Sequence, residues 1–286
     1  MKARVTTWDK KSYDLPVLVE WELRYTGGVP CDSFSVTCAY EAGMGKILPE
    51  CSRFGAFVDG QIQFYGVVDE YVAERSDRGD LLTVTGRGLA ALLLDNEALG
   101  QDYGTATLED ILRDHVAPYG IELAGEASLP AVSPFSVPTG SSEWAVLYEF
   151  AQYCGGVCPR FDRAGRLVLE GWTEVENLAI SDATPVTSLT VRDRRYGVLS
   201  QVTVKDVSGW TRQTVVNEAF QAKGGQCSRV LLLPRKTGYQ ARRYQAQFQL
   251  DRSASQLQTA EVTVALPFAA WPGDLVDLEG WGGGRW

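Results

Sequence analysis

The chain has 286 residues, 45% hydrophobic and 22% charged, with 27 Lys plus Arg against 36 Asp plus Glu and a formal charge of −9. That length predicts two or three modules rather than one domain, and an ordinary apolar fraction with scattered Gly and Pro argues against disorder as the main theme. The acidic balance argues against a nucleic-acid binder, because a phosphate backbone needs a cationic track, and the clusters Arg192, Arg194, Arg195 and Arg242, Arg243 read as solvated faces.

The start, Met1 to Trp8, lacks the apolar core of a signal peptide, and no stretch reaches the roughly 18 apolar residues of a membrane span. The expectation is a protein made and kept in a cytoplasm, without membrane insertion. The six cysteines (Cys31, Cys38, Cys51, Cys154, Cys158, Cys227) are then read as small buried hydrophobes, with no disulfide framework.

The first ninety residues read as strands. Apolar and charged residues alternate through Glu20–Tyr25, and Phe34, Val36, Cys38 and Tyr40 repeat the same period of two, as half-buried strands do. Trp21 is placed facing the core. Gly55–Val58 and Gln61–Tyr65 flank Asp59-Gly60, a pair suited to a tight hairpin turn. Gly66–Val72 then pairs with Leu81–Thr85 across a polar link from Glu74 to Asp80. The predicted product is a small antiparallel barrel or sandwich.

From Arg87 the period changes. Leu89, Ala90, Leu92 and Leu93 fit a short helix, and a second is predicted from Thr107, a capping residue followed by Glu109 and Asp110, with Pro118 and Gly120 stopping it. Its apolar face is Leu108, Ile111, Leu112 and Val116. A Pro/Ser-rich link, Leu129 to Gly140, precedes a third helix in which Trp144, Leu147, Tyr148 and Ala151 share a face and Gly155-Gly156 ends it. Val157–Phe161, the turn Asp162–Arg166 and Leu167–Glu170 read as a hairpin. Beyond it, strands are predicted over Val198–Val207, Trp210–Val216 and Arg229–Leu233, with a turn at Ser208-Gly209. A helix follows near Tyr239–Leu250, with Ala241, Tyr244 and Phe248 on its apolar face. Val262, Val264 and Leu266 alternate, and Asp274–Leu278 reads as a last strand.

Sites for chemistry are few. One histidine, His115, occurs in the chain, so a catalytic triad or multi-His metal site would have to be built around it alone. It sits beside the apolar face of its helix and reads as a satisfied, partly buried residue. Cys154 and Cys158 have no second Cys/His pair to complete a zinc site, no phosphate-binding loop occurs, and Arg78-Gly79-Asp80 reads as a hairpin tip. The carboxylates show no spacing that picks out a glycosidase pair. No catalytic residue, metal or cofactor is therefore expected. Trp210, Trp271, Trp281 and Trp286 remain as candidate interface anchors, because Trp21 and Trp144 have core-facing periodicity.

Several stretches, in order, resemble the baseplate hub proteins of contractile phage tails and prophages, including Mu-type hubs and the phage late-control family. They are Phe57-Val58-Asp59-Gly60 with Phe64–Asp69, Leu82–Asn96, and Ser141–Trp144 followed by Pro159-Arg160-Phe161 and Gly165-Arg166-Leu167. Their order between about Val17 and Asp277 carries the resemblance.

The resemblance implies a mostly β, α+β chain: a tube-like antiparallel β-barrel at 1–96, an α/β insert at 97–170, and a second barrel with one helix at 171–286. It implies a homotrimer whose barrels form a ring, with the tail tube, the central spike and other baseplate proteins as partners. The place of action would be the virion tail, after assembly in the bacterial cytoplasm. Family members usually continue past Pro272–Val276 with a further strand, whereas this chain soon reaches Gly282–Trp286, so the last barrel is expected to be incomplete or completed by a neighbour. Such a hub would hold geometry without catalysis, and an acidic lumen would let DNA slide without stable binding. The alternatives from other classes are a tail-associated cell-wall hydrolase and a carbohydrate- or receptor-binding tail module.

Overall fold

A computed structural model describes residues 1–27, 31–77, 79–171, 177–181, 183–205, 212–233, 239–255, 257–265 and 270–279. The chain is mostly strand with a smaller helical part, and it divides into two compact units. The first is Met1–Phe150 with Cys158–Glu170, and the second is Ala151–Val157 with Gly171–Trp286. Among the described residues no helix is long and apolar enough to cross a membrane.

The first unit opens with β1 (Lys2–Thr7), β2 (Ser12–Asp14), β3 (Leu18–Arg24), β4 (Ser33–Ala39), β5 (Cys51–Val58), β6 (Gln61–Ser76) and β7 (Gly79–Gly88). They form one sheet in the order β2-β1-β5-β6-β7-β4-β3, antiparallel throughout. Period-two alternation places Ala3, Val5, Phe34, Val36, Cys38, Phe54, Ala56, Phe64, Leu82 and Val84 on one buried face. The sheet must curl. β4 and β5 are three strand positions apart, about 14 Å in a flat sheet, yet the rings of Phe34 and Phe54 stack with centroids 3.7 Å apart and interplanar angle 6°. Phe64 meets both rings edge-on. Tyr13 from one edge strand and Leu18 and Leu23 from the other pack on the same cluster. The result is a rolled sheet with a filled interior, and its edges β2 and β3 do not pair with each other.

Asp59 and Gly60 both take positive φ, 50° and 81°, and make the two-residue turn between β5 and β6. The polar segment from Glu74 to Asp80 was expected to be a link. It belongs instead to the ladder, with Glu74 opposite Leu81, Arg75 opposite Asp80 and Ser76 opposite Gly79. Arg75 grips Asp80 with two hydrogen bonds, 2.7 and 2.6 Å. A ribbon solvated on both faces carries no apolar alternation, so its polarity mimics a loop. Near the root of this ribbon the backbones of β6 and β7 approach so closely that a Cβ on Gly66 would lie 2.1 Å from the Arg87 carbonyl oxygen, and one on Gly86 2.0 Å from that of Val67. Only glycine fits either place.

The remainder of the unit comprises α1 (Ala90–Asp95), β8 (Gln101–Tyr103), α2 (Leu108–His115), β9 (Phe135–Val137), α3 (Glu143–Gly155) as far as Phe150, β10 (Arg160–Phe161) and β11 (Leu167–Val168). Thr107 caps α2 in a reciprocal box with Asp110, and Gly120 closes the following turn at φ 68°. The Leu129–Gly140 segment, expected to be only a link, carries β9 paired with β8. Only Phe135 and Val137 are buried, on either side of an exposed Ser136, and that is too short an alternation to register as a strand. Trp144, Leu147 and Phe150 of α3 are buried, with Trp144 against Phe161 of the predicted hairpin.

The second unit contains β12 (Asn177–Ile180), β13 (Val186–Asp193), β14 (Gln201–Lys205), β15 (Arg212–Val216), α4 (Glu218–Ala222), β16 (Ser228–Leu232), α5 (Tyr239–Ala254), β17 (Gln258–Val264) and β18 (Leu275–Leu278). Among the described residues its ladders are β15-β14-β16, β13-β17 and β12-β18. Here the expected antiparallel pairing is corrected: β16 runs parallel to β14, and β18 parallel to β12. After the β14–β15 hairpin the chain returns through α4, so it re-enters the sheet in the direction of β14. The Ser208-Gly209 turn and Leu266 lie outside the described residues. α5 packs with Ala246 and Leu250 against Leu199, Val202 and Val204, and Arg242 lies on that buried side. Of the face expected from Ala241, Tyr244 and Phe248, Tyr244 is exposed and Phe248 half-buried, while the side chain of Ala241 lies outside what the structure describes. The aromatics suggested a stripe, but β14 offers small branched side chains that a flat Ala246 approaches more closely than a Tyr.

Candidate assembly surface

The outward face of the rolled sheet is the reverse of its core alternation. On β1, Lys2, Arg4 and Thr6 point out where Ala3 and Val5 point in; on β5, Arg53, Gly55 and Phe57 alternate with Phe54 and Ala56. Register places Thr6 opposite Arg53, Arg4 opposite Gly55 and Gly55 opposite Tyr65. Gly55 has no side chain, so the floor dips there. The resulting groove has a volume of about 480 Å³ and is lined by Arg4, Lys10, Arg53, Trp8, Phe57 and Tyr65 among others. It shares Arg4 and Phe57 with a neighbouring hollow of about 590 Å³ that adds Lys2.

Arg4 donates to Asp14 at 2.7 Å, which holds the Asp14 carboxyl below the usual carboxylate range, and its guanidinium lies 5.6 Å from the Phe57 ring centroid. Lys11 pairs with Asp9 at 2.8 Å, and Trp8, 71% exposed, donates its indole N–H to Glu50. Among the described residues Lys2, Lys10 and Arg53 form no ion pair. Sequence reasoning missed this groove because its side chains come from strands far apart in the chain. The readable signal was the alternation Lys2-Ala3-Arg4-Val5-Thr6 beside Arg53-Phe54-Gly55-Ala56-Phe57, basic or aromatic on one face and apolar on the other.

At the opposite edge, β3 exposes apolar surface. Trp21 pairs with Val36 and so faces the core side, but it is 55% exposed because no further strand covers the edge beyond it; this corrects its assignment to the core. Val17 and Val19 beside it are also exposed. Of the candidate anchors, Trp271 is half-buried and its backbone N–H donates to Asp274 at 2.8 Å. Trp210, Trp281 and Trp286 lie outside the described residues.

The expected buried role of His115 is what the structure shows, in a network richer than the sequence revealed. Its Nδ1 lies 2.6 Å from Glu143 Oε2 and its Nε2 3.1 Å from Tyr103 Oη. Tyr103 donates to Asp114 at 2.9 Å, and Tyr119 donates to Glu143 at 3.1 Å. His115 is 4% and Glu143 7% exposed. Burial, then the bond to Asp114, pushes the Tyr103 phenol up; Arg113 holds Asp114 below the usual carboxylate range. The network ties β8, α2 and the start of α3 together. Among the described residues no group of three or more His, Cys, Asp or Glu is placed to hold a metal ion. Cys38 is buried, Cys31, Cys51 and Cys158 are half-buried, and Cys227 is exposed, contrary to its reading as a core residue. Burial raises the Cys31 and Cys38 thiols to about 11. Cys227 sits just before β16, where its carbonyl, not its thiol, is engaged by Ser200.

No protein-family description matches the chain, and no curated protein matches it. Solved structures do. A tail protein from Neisseria meningitidis is 19% identical, with TM-score 0.75 over 99% of this chain and 89% of its own. The 43 kDa tail protein of prophage MuSo2 from Shewanella oneidensis is 18% identical, with TM-score 0.72 over 100% and 92%. More distantly, an Escherichia coli type VI secretion component, described as similar to the T4 tail proteins gp27 and gp5, is 12% identical with TM-score 0.50 over 91% and 67%. From end to end, the fold of this chain is one that phage tail proteins carry.

Proposed function

We propose that this chain is a structural subunit of a phage or prophage tail, and that it acts as a baseplate hub joining the tail tube to the central spike. The observation that carries the reading is co-extension: two tail proteins, one of them from a prophage, match essentially the whole chain over about nine-tenths of their own length. The likeness to a secretion component compared with gp27 and gp5 supports the finer hub assignment. The rolled, filled sheet of the first unit supports the view that its edges are completed in an assembly, because exposed edge strands invite pairing. In this proposal the working form is a homotrimer in the virion tail, assembled in the bacterial cytoplasm, with tube, spike and other baseplate proteins as neighbours.

The test is location. A tagged copy expressed in the bacterium that encodes it is expected to co-purify with tail particles and to label, by immunogold, the end of the tube distal to the head. Label spread along the tube would exclude the hub, and tails without label would exclude a tail role altogether.

We also propose that the chain is not an enzyme. The support is the burial of its single histidine in a saturated hydrogen-bond network. Purified protein is expected to release no dye from labelled cell walls. Release abolished by one Asp or Glu substitution would make the hydrolase reading the better one.

A further inference from the structure

The ribbon formed by the outer halves of β6 and β7 presents a surface that complements the basic groove. β6 pairs with β5 only as far as Val67, and beyond a bulge at Val68/Glu70 it continues beside β7 alone. Register then puts Glu70 opposite Thr85, Val72 opposite Thr83 and Glu74 opposite Leu81. Glu70, Val72 and Glu74 therefore share the outward face, at spacings of roughly 7 Å. Val72 is 48% exposed. Neither glutamate forms an ion pair among the described residues. The root of the ribbon is fixed: Arg87 grips Asp69 at 2.7 and 2.9 Å and Asp95 at 2.7 and 3.1 Å.

An apolar residue flanked by two carboxylates thus stands on one part of the sheet. An aromatic groove flanked by Lys2, Lys10 and Arg53 lies on another, in a chain whose net charge is −9. Both surfaces face outward on one rolled sheet whose ribbon is clamped at its root, so the ribbon cannot reach the groove of its own chain.

We propose that the outward face of the β6–β7 ribbon docks in the β1–β5 groove of a second copy of this chain. Val72 sits over Phe57 and Tyr65, and Glu70 and Glu74 reach Arg53 and Lys10. The contact is heterologous, head to tail, which closes into a ring or propagates as a helix. It deepens the assembly reading above and rests on that reading only for the ring.

The experiment is charge exchange read by sedimentation velocity up to millimolar protein. Wild type is expected to self-associate, less so in high salt. Arg53→Glu with Lys10→Glu, and separately Glu70→Lys with Glu74→Lys, should each weaken association about tenfold or more, the scale of coupling between close interfacial charges. Mixing the two variants, or combining all four changes in one chain, should restore it. Should a reversal melt the protein, as circular dichroism would show, Arg53→Gln and Glu74→Gln carry the test and should weaken association in the same direction. A wild type that stays monomeric, swaps that sediment as wild type does, or a combined variant no better than either half would overturn the contact. Tail labelling combined with indifferent swaps would sink this contact while leaving the tail role standing.

Discussion

Phe54→Ala is expected to lower the unfolding free energy of the first unit by about 4 kcal/mol, in the range measured for removing a fully buried phenylalanine. Phe54 has no solvent exposure, stacks on Phe34 and meets Phe64 edge-on, so the substitution removes one member of a three-ring contact and leaves a cavity. The curl of the sheet holds the cavity open, because strands that bring β4 over β5 cannot collapse without breaking ladder hydrogen bonds. Phe57→Ala, three residues along and on the outward face, is the control and should cost less than about 1 kcal/mol. Urea denaturation followed by near-ultraviolet circular dichroism measures both. Equal costs would mean that the stacked rings do not organise the core.

What the sequence displayed of this unit were the features set by neighbours in the chain. Asp59-Gly60 declared its turn because positive φ at two successive residues needs such a pair. Thr107 declared the start of α2 because its partner Asp110 is three residues on. The closeness of β4 to β5 was invisible, since Phe34 and Phe54 are apolar residues in two strands and nothing local says that their rings stack. The α5 face was misread for a related reason. Helical spacing offers several stripes, and the choice between Tyr244 and Ala246 is made by the sheet beneath.

The candidate surfaces were harder still. Trp21 has core periodicity and faces the core side, but its exposure depends on β3 being the last strand, a property of sheet order. Arg4 and Arg53 are 49 positions apart and Tyr65 comes from a third strand, so the groove exists only once register sets them side by side. The resemblance to tail hubs named an architecture in which such surfaces matter. It could not say which face carries charge, because that depends on this chain's outward residues.

Glu143→Ala is expected to cost about 3–5 kcal/mol, because it removes one partner of a buried charged or hydrogen-bonded pair and leaves the other without an acceptor. With Tyr103 donating to Asp114, His115 has Glu143 as the acceptor for Nδ1, and Tyr119 loses its acceptor in the same step. Tyr119→Phe, which removes a donor and leaves Glu143 its shorter bond, should cost only about 1 kcal/mol. The sharper result lies in the cycle. Once Glu143 is gone, His115→Leu removes a ring whose Nδ1 no longer has a partner and gives up only the Nε2 contact with Tyr103, so the doubly substituted chain should be little worse than Glu143→Ala alone, with a coupling energy of about 1–3 kcal/mol. Denaturant midpoints for the two singles and the double give that coupling. Costs that simply add would show that His115 and Glu143 act independently, and that packing, not the polar network, holds β8, α2 and α3 together.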